Sequence, residues 1–258
     1  MGAAAAHFSI LPVRPSAGPP GPGALAALPI VGVALGAAAG GAGALAARAV
    51  SPPLGGVVAF GTLALLTGAI HLDGFLDGCD AFFASVPPAR RLEILKDPRD
   101  GSFAVAGMFV MGGVAVAALA AIPPKRLPAS LAFAAGLARA ASVTGAFVFP
   151  GAGSRGERTH FNRSVPVVLA LTSTLVALAL AIGRVDRRAA LGVPAAIALA
   201  LACERWICGR LGGLVGDAYG FTIVVTEVAT LVALATRREP PAEDEQAGDA
   251  TAGKPRSL

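Results

Sequence analysis

The chain has 258 residues, 55% of them hydrophobic and only 14% charged, with a formal net charge of +5 and a mean hydropathy of +0.69. That is too apolar for an ordinary soluble domain and fits a protein that crosses a bilayer several times. Its basic residues are spread over every loop rather than gathered into one patch, which argues against nucleic acid as a partner.

In chain order, residues 1–23, "MGAAAAHFSILPVRPSAGPPGPG", lack the charged-then-apolar order of a signal peptide and read as an N-terminal segment with a Pro/Gly linker. Residues 24–236 read as one membrane-embedded domain. It is expected to be all-α, because backbone polar groups in lipid are satisfied within a segment and nothing alternates like a barrel strand. A crossing helix needs roughly 20 apolar residues, and candidate spans fall near 24–47, 54–72, 102–122, 127–150, 165–183, 189–208 and 211–235. The expected architecture is a polytopic helical bundle of six or seven transmembrane helices with one short interfacial helix. Ala/Gly stretches such as "GAAAGGAGALAA" at 36–47 let helices approach closely, although a GC-rich genome writes the same letters. Cys79, Cys203 and Cys208 match no zinc or disulfide pattern and read as small apolar residues. The tail, 237–258, has the composition of a disordered polar end.

Acid is concentrated after the second span, in "HLDGFLDGCD" at 71–80. If that span continues as a helix through residue 80, steps of 100° place Asp73, Asp77 and Asp80 within an arc of about 60°. Carboxylates so placed repel one another unless a cation neutralises them. A solvated helix end would interleave basic residues, and between 72 and 89 there is none, so a divalent-metal site is the preferred reading. Hard oxygen donors without a His/Cys set favour Mg²⁺, with Mn²⁺ as the alternative. Mg²⁺ completes its shell with phosphate and water, which points to a phosphorylated substrate.

The following "SVPPARRLEILKDPRDGSF", 85–103, opens with a Pro pair, runs as a short amphipathic helix from about Pro88 to Lys96 along the interface, and breaks at Asp97-Pro98. Lys96, Arg99, Gly101 and Ser102 then stand where the third span starts, a candidate anion seat. Alone, the stretch would read as a basic loop that sets topology. Asp217, in "GGLVGDAYG", is an acid in an apolar span among glycines and a further candidate for the site, with Glu227 beyond it. Structural ion pairs explain Arg139 and the Glu204-Arg205 pair as well as a site does. His160 reads as loop.

"HLDGFLDGCD" followed by "RRLEILKDPRDGSF" resembles the adenosylcobinamide-GDP ribazoletransferases, the cobalamin synthase family, whose pattern is close to H-L-D-G-x-x-D-x-x-D and then L-E-I-M-K-D-x-R-x-G-x-F-G. "FSILPVR" (8–14), "LPIVGVALG" (28–36) and "GGLVGDAYGFTIVVTE" (212–227) extend the likeness over most of residues 8–235. Ile10, Pro98, Asp100, Ala104 and Val215 depart from the family's usual residues, but no matched Asp, Lys or Arg of the central motif is lost. The resemblance implies that adenosylcobinamide-GDP meets α-ribazole or its 5′-phosphate. The ribose 3′-hydroxyl attacks the phosphorus on the aminopropanol arm, GMP leaves, and adenosylcobalamin or its phosphate forms. In that chemistry metal on Asp73, Asp77 and Asp80 would bridge the diphosphate, while Lys96 and Arg99 stabilise charge in the transition state. Asp97 and His71 are the candidate bases for the hydroxyl, Asp97 preferred.

Loop Lys/Arg are balanced between the two sides and choose no orientation, and it is the family resemblance that implies a site on the cytoplasmic face of a bacterial inner membrane. The expected partners are these small molecules and the bilayer, and no oligomeric state is indicated. Two other classes compete. A CDP-alcohol phosphotransferase would show D-G-x-x-A-R where Phe75, Leu76 and Asp77 follow Asp73-Gly74, and a prenyltransferase would share only the acidic helix end. A transporter would carry acids near the bilayer midplane in paired halves, whereas these crowd at one boundary without an internal repeat.

Overall fold

A computed structural model describes residues 9–10, 22–152 and 192–235. They form eight helices: α1 (Pro22–Ala49), α2 (Pro52–Leu66), α3 (Ile70–Phe83), α4 (Pro88–Ile94), α5 (Ser102–Ala121), α6 (Leu127–Val148), α7 (Gly192–Leu211) and α8 (Gly216–Ala235). Among the described residues, extended pairing is limited to one isolated bridge, Gly151 with Leu214. Five helices (α1, α5, α6, α7 and α8) are long and apolar enough to cross a membrane, and α2 with α3 makes a sixth span if the bent pair counts as one. The chain is thus an all-α, multi-pass membrane bundle, as its composition required. The expected span at 165–183, His160 and the tail lie outside the described residues.

Helix α6 is the centre of the bundle, with 83% of its apolar window inside the protein against 28% for α5 and 22% for α7. Helix α1 lies directly on it. A Cβ added at Gly36 or Gly40 would stand 2.6 or 2.7 Å from the carbonyl oxygens of Leu131 and Leu127. Lipid tails are as apolar as leucine, so helices cohere through such backbone approach and dispersion rather than through exclusion of water. Gly43 makes the same approach to Gly55 and Ala59 on α2, while Gly41 faces open space. The Ala/Gly run is therefore contact surface at some positions and bare composition at others. Phe109, Val105 and Val110 on α5 stay exposed, an apolar face toward lipid.

The second expected span, 54–72, is not one helix. It stops at Leu66, and α3 leaves at 95° to α2. The reason is local: Gly68 and Ala69 both take left-handed backbone, with φ of 62° and 58°. The Gly68 N–H donates to Leu65 O and the Ala69 N–H to Ala64 O, the double closure of a glycine-terminated helix. The Thr67 hydroxyl donates to Leu63 O and Ala64 O, each at 3.0 Å. Leu66 O then accepts from Ile10 N–H at 3.0 Å, which docks the N-terminal segment on the break. With so many terminal carbonyls satisfied, the helix can end within the protein.

Past α3 the chain turns into α4, which ends at Ile94, shorter than expected. Arg91, buried, donates to Ala84 O at 2.8 Å and to Arg210 O at 3.4 Å, while Arg210 donates to Phe82 O at 2.7 Å. These guanidinium groups close the carbonyl ends of α3 and α7 together. Arg210 also lies 4.9 Å from the Trp206 ring, which is packed among Phe82, Phe83 and Phe221.

The bundle has two distinct ends. The close of α3 and the starts of α5 and α8 gather at one, where Leu214 N–H donates to Pro150 O and Ala152 N–H donates to Leu214 O, tying the end of α6 to the α7–α8 turn. At the other end Ile122, Leu127, Ala196 and Leu234 share one apolar cluster. Helix α6 thus finishes on the first end and α7 begins on the second.

The α1–α6 contact yields a matched test. Gly36→Ala should destabilise the detergent-purified protein by about 1–3 kcal/mol, because its Cβ meets backbone that cannot yield. Gly41→Ala should stay within about 0.5 kcal/mol of wild type. Thermal denaturation reads both, and equal losses would contradict this packing.

Candidate active site

Helix α3 carries Asp73 exposed and Asp77 and Asp80 half-buried, the three still on one helix despite the break before it. Their neighbour is α8. At the crossing of the two helices a Cβ on Gly74 would stand 3.1 Å from Asp217 Cα, and one on Gly220 would stand 3.0 Å from Gly74 Cα. Only glycine lets the backbones meet there, and the contact sets Asp217, in the first turn of α8, beside the aspartates of α3. Asp77 consequently feels the charges of Asp73, Asp217, Asp100 and Asp80 together. The acidic cluster draws on two helices and a loop, more than the single helical arc the sequence suggested.

Asp80 has a second task. Its Oδ2 accepts from Gly101 N–H at 2.6 Å and its Oδ1 from Ala104 N–H at 3.1 Å. At the start of α5, read from sequence as a seat for substrate anion at Gly101 and Ser102, the Gly101 and Ala104 N–H groups are taken by this chain's own carboxylate. Gly101 has no side chain to cap the helix, and a carboxylate gains both from the orphan N–H groups and from the helix dipole. A Cβ at Gly101 would come 2.6 Å from Asp80 Oδ1, so the close approach also explains the glycine. The aspartate motif and the "KDPRDGS" motif are thereby in direct contact. Ser102 is exposed on the first turn of α5.

Lys96 and Arg99 stand exposed on the turn between α4 and α5. Arg99 donates to Asp97 through Nε at 2.8 Å and Nη2 at 2.7 Å, a two-pronged pair. These hydrogen bonds hold the Asp97 carboxyl down to about 2, well below the ordinary range, and raise that of Arg99. So long as the pair is closed, Asp97 is a poor proton acceptor. His71 is 8% exposed and lies behind the α3–α8 crossing, its carbonyl oxygen 3.1 Å from where a Gly220 Cβ would be.

Deeper in the bundle, Arg139, 2% exposed, donates to Glu227 at 3.0 Å and to Ala135 O at 2.8 Å. Glu227 is committed to that pair. Glu204 is buried and accepts from the Ser142 hydroxyl at 3.2 Å, while Arg205 is exposed. The adjacent Glu204 and Arg205 are therefore not the ion pair they look like in sequence, since successive residues on a helix point apart. Cys79 is buried, Cys203 and Cys208 are half-buried, and all three are free thiols.

Beside the acids, at the α2–α3 break, lies an open cavity of about 400 Å³ walled by Ser9, Ile10, Thr67, Gly68, Ala69, Ile70 and Asp73. Reading the second span as continuous hides this cavity. Thr67-Gly68, a glycine in the position that ends helices, was the available signal. Among the described residues no group of three or more His, Cys, Asp or Glu side chains is already converged on a metal-sized point. The donors are all carboxylate oxygens, which suits a hard cation whose remaining ligands come from substrate and water.

Residues 1–235 match the family model described as Cobalamin-5-phosphate synthase. The chain is 35% identical over 214 residues to an adenosylcobinamide-GDP ribazoletransferase of Stutzerimonas stutzeri (strain A1501), covering 80% of this chain and 84% of the relative. It is 30% identical over 243 residues to the protein of the same name from Bradyrhizobium diazoefficiens, covering 90% and 91%. No solved structure matches.

The cap and the buried pair each give an expectation. Asp77→Asn, which removes a charge from among four other acids, should leave the melting temperature in detergent unchanged or raise it, whereas Asp80→Ala should lower stability by about 0.5–2 kcal/mol through loss of the α5 cap. Identical melting of both would deny Asp80 its structural task. Arg139→Met should cost about 3–5 kcal/mol by stranding Glu227, with much of the loss recovered in Arg139→Met/Glu227→Gln. A double variant no better than the single would show that the pair is not coupled.

Proposed function

The chain belongs to the cobalamin-5-phosphate synthase family, and from that membership we propose that it works as an adenosylcobinamide-GDP ribazoletransferase at the acidic end of its bundle. In this reaction the ribose 3′-hydroxyl oxygen of α-ribazole, or of its 5′-phosphate, bonds to the phosphorus that carries the aminopropanol arm. The bond from that phosphorus to the oxygen of GMP breaks, GMP leaves with the electron pair, and the hydroxyl proton passes to a base. One observation carries the assignment of the site: Asp80 of the aspartate motif grips Gly101 of the cationic motif at 2.6 Å, so acids and bases share one end of the bundle.

Asp73, Asp77 and Asp217 are the carboxylates we assign to a divalent cation, Mg²⁺ or else Mn²⁺, with Asp80 reserved for the cap. When bound, the cation neutralises charge on the diphosphate and on departing GMP. Lys96 and Arg99, on the adjoining turn, bind the non-bridging phosphate oxygens, and the exposed Ser102 hydroxyl stands at the same end to donate a hydrogen bond. Arg99 can grip phosphate with its fork only by leaving Asp97. Its departure removes what depresses the Asp97 carboxyl, so arrival of the diphosphate prepares Asp97 to take the ribose proton. His71, behind the crossing, supports the α3 aspartates from the buried side.

We place this end of the bundle toward the cytoplasm in a bacterial inner membrane, where a water-soluble nucleotide-activated donor is at hand. A CDP-alcohol phosphotransferase or a transporter is not favoured, because the family match runs through the whole bundle.

Purified protein given adenosylcobinamide-GDP should release GMP only when α-ribazole is present. EDTA should stop the release and Mg²⁺ restore it. Arg99→Lys should slow it by roughly tenfold or more, since an ammonium cannot reproduce the guanidinium fork. Release that ignores α-ribazole would make the protein a hydrolase, and no release would overturn the reading.

A further inference from the structure

We propose that the cavity at the α2–α3 break is the subsite for the acceptor nucleoside, and that the N-terminal segment at Ser9–Ile10 is a wall of it that selects the base. The inference rests on the transferase reading and adds to it where one of the two substrates binds. Position is the first argument. Asp73 belongs both to the cavity wall and to the acidic cluster, so any occupant abuts the place where phosphorus reacts.

About 400 Å³ lies at the lower end of small-molecule sites, which run from roughly 300 to 1,000 Å³. A nucleoside fits that space, whereas a corrin macrocycle with its amide side chains does not.

Chemistry separates the acceptor nucleoside from the donor's guanosine. Ile10 is 62% exposed and Ile70 42% exposed, two large aliphatic side chains on the cavity wall. The Thr67 hydroxyl is already bonded to the carbonyls of Leu63 and Ala64. A benzimidazole-type base, fused, flat and without hydrogen-bond donors on its ring edge, matches such walls. Guanine would set part of its row of donors and acceptors against the two isoleucines, with Ser9 and Asp73 the polar side chains beside them. The polar side chain at the acid end, Asp73, then meets the sugar, whose hydroxyl has to reach the phosphorus.

The cavity is also built rather than incidental. The left-handed turn at Gly68 and Ala69 makes the corner, and Ile10 N–H closes on Leu66 O at 3.0 Å. A Cβ on Gly68 would come 3.3 Å from Ile10 Cγ2, so the Ile10 side chain lies against the corner. A residue at position 10 therefore acts on the acceptor and not on the nucleotide donor.

The test uses the full chain in detergent, with Ile10→Ala and Ile70→Ala beside Val110→Ala, a change on the lipid face of α5. Isothermal titration calorimetry measures binding of α-ribazole alone, and steady-state GMP release gives KM for each substrate separately. Removing aliphatic carbons from an apolar subsite should weaken α-ribazole about tenfold or more, in binding and in KM. KM for adenosylcobinamide-GDP should stay within about twofold, and Val110→Ala should match wild type. Melting temperatures equal to wild type exclude a folding defect, and if Ile10→Ala melts early, Ile70→Ala carries the test. A raised KM for adenosylcobinamide-GDP with α-ribazole unaffected would give the cavity to the donor and overturn the proposal, as would no change in either constant. Wild-type protein that binds α-ribazole, loses it in Ile10→Ala and yet releases no GMP would uphold the subsite and sink the transferase reading instead.

Discussion

The carboxylate of Asp80 at the start of α5 is the contact on which the working end of this protein depends. A helix beginning at a membrane boundary presents N–H groups that neither lipid nor its own glycine can satisfy. Asp80 meets two of them from another helix. That single group ties α3 to the start of α5, with Asp77 one turn back and Asp73 two turns back on the same helix. After α4 the chain returns to this tie, which keeps Lys96 and Arg99 at the same end of the bundle. Asp80, which sequence reasoning grouped with Asp73 and Asp77, is in the folded chain also the cap of α5.

Beneath this joint the protein is rigid for a different reason. Glycines at 36, 40, 74 and 220 remove side chains where helices cross, so the backbones themselves are in contact. The Arg139–Glu227 pair is buried behind them, where separating the charges is costly. A transferase of a phosphorylated donor gains from such backing, because its rate rests on positioning and fixed electrostatics more than on covalent chemistry.

Much of this was legible in the sequence. Among the described residues, apolar runs gave α1, α5, α6, α7 and α8 to within a few residues, and the i, i+4, i+7 spacing of the aspartates survives in α3. The proximity of the aspartate and lysine-arginine motifs also followed from a short returning helix. What was not legible depends on partners distant in the chain. Hydropathy carries straight through Thr67-Gly68-Ala69, so the 95° corner and its cavity were missed, although Gly68 marked the stop. Spacing alone could not show that Asp80 faces N–H groups, that Asp97 is tied to Arg99, or that Glu204 turns to Ser142 and away from Arg205. Those outcomes are decided by which helix packs beside which.

Trp206 is the single tryptophan of the chain. It lies between the Arg210 guanidinium, 4.9 Å from its ring, and the phenylalanines at the end of α3. Its near-ultraviolet emission therefore comes from one place, the junction of α3, α7 and α8, with the cation of Arg210 as a fixed charge beside the ring. The protein carries an optical gauge of its own on α7, set against the end of the helix that holds Asp73, Asp77 and Asp80. Any rearrangement of that helix end as a phosphorylated ligand arrives is written into the wavelength and lifetime of one indole, without a label.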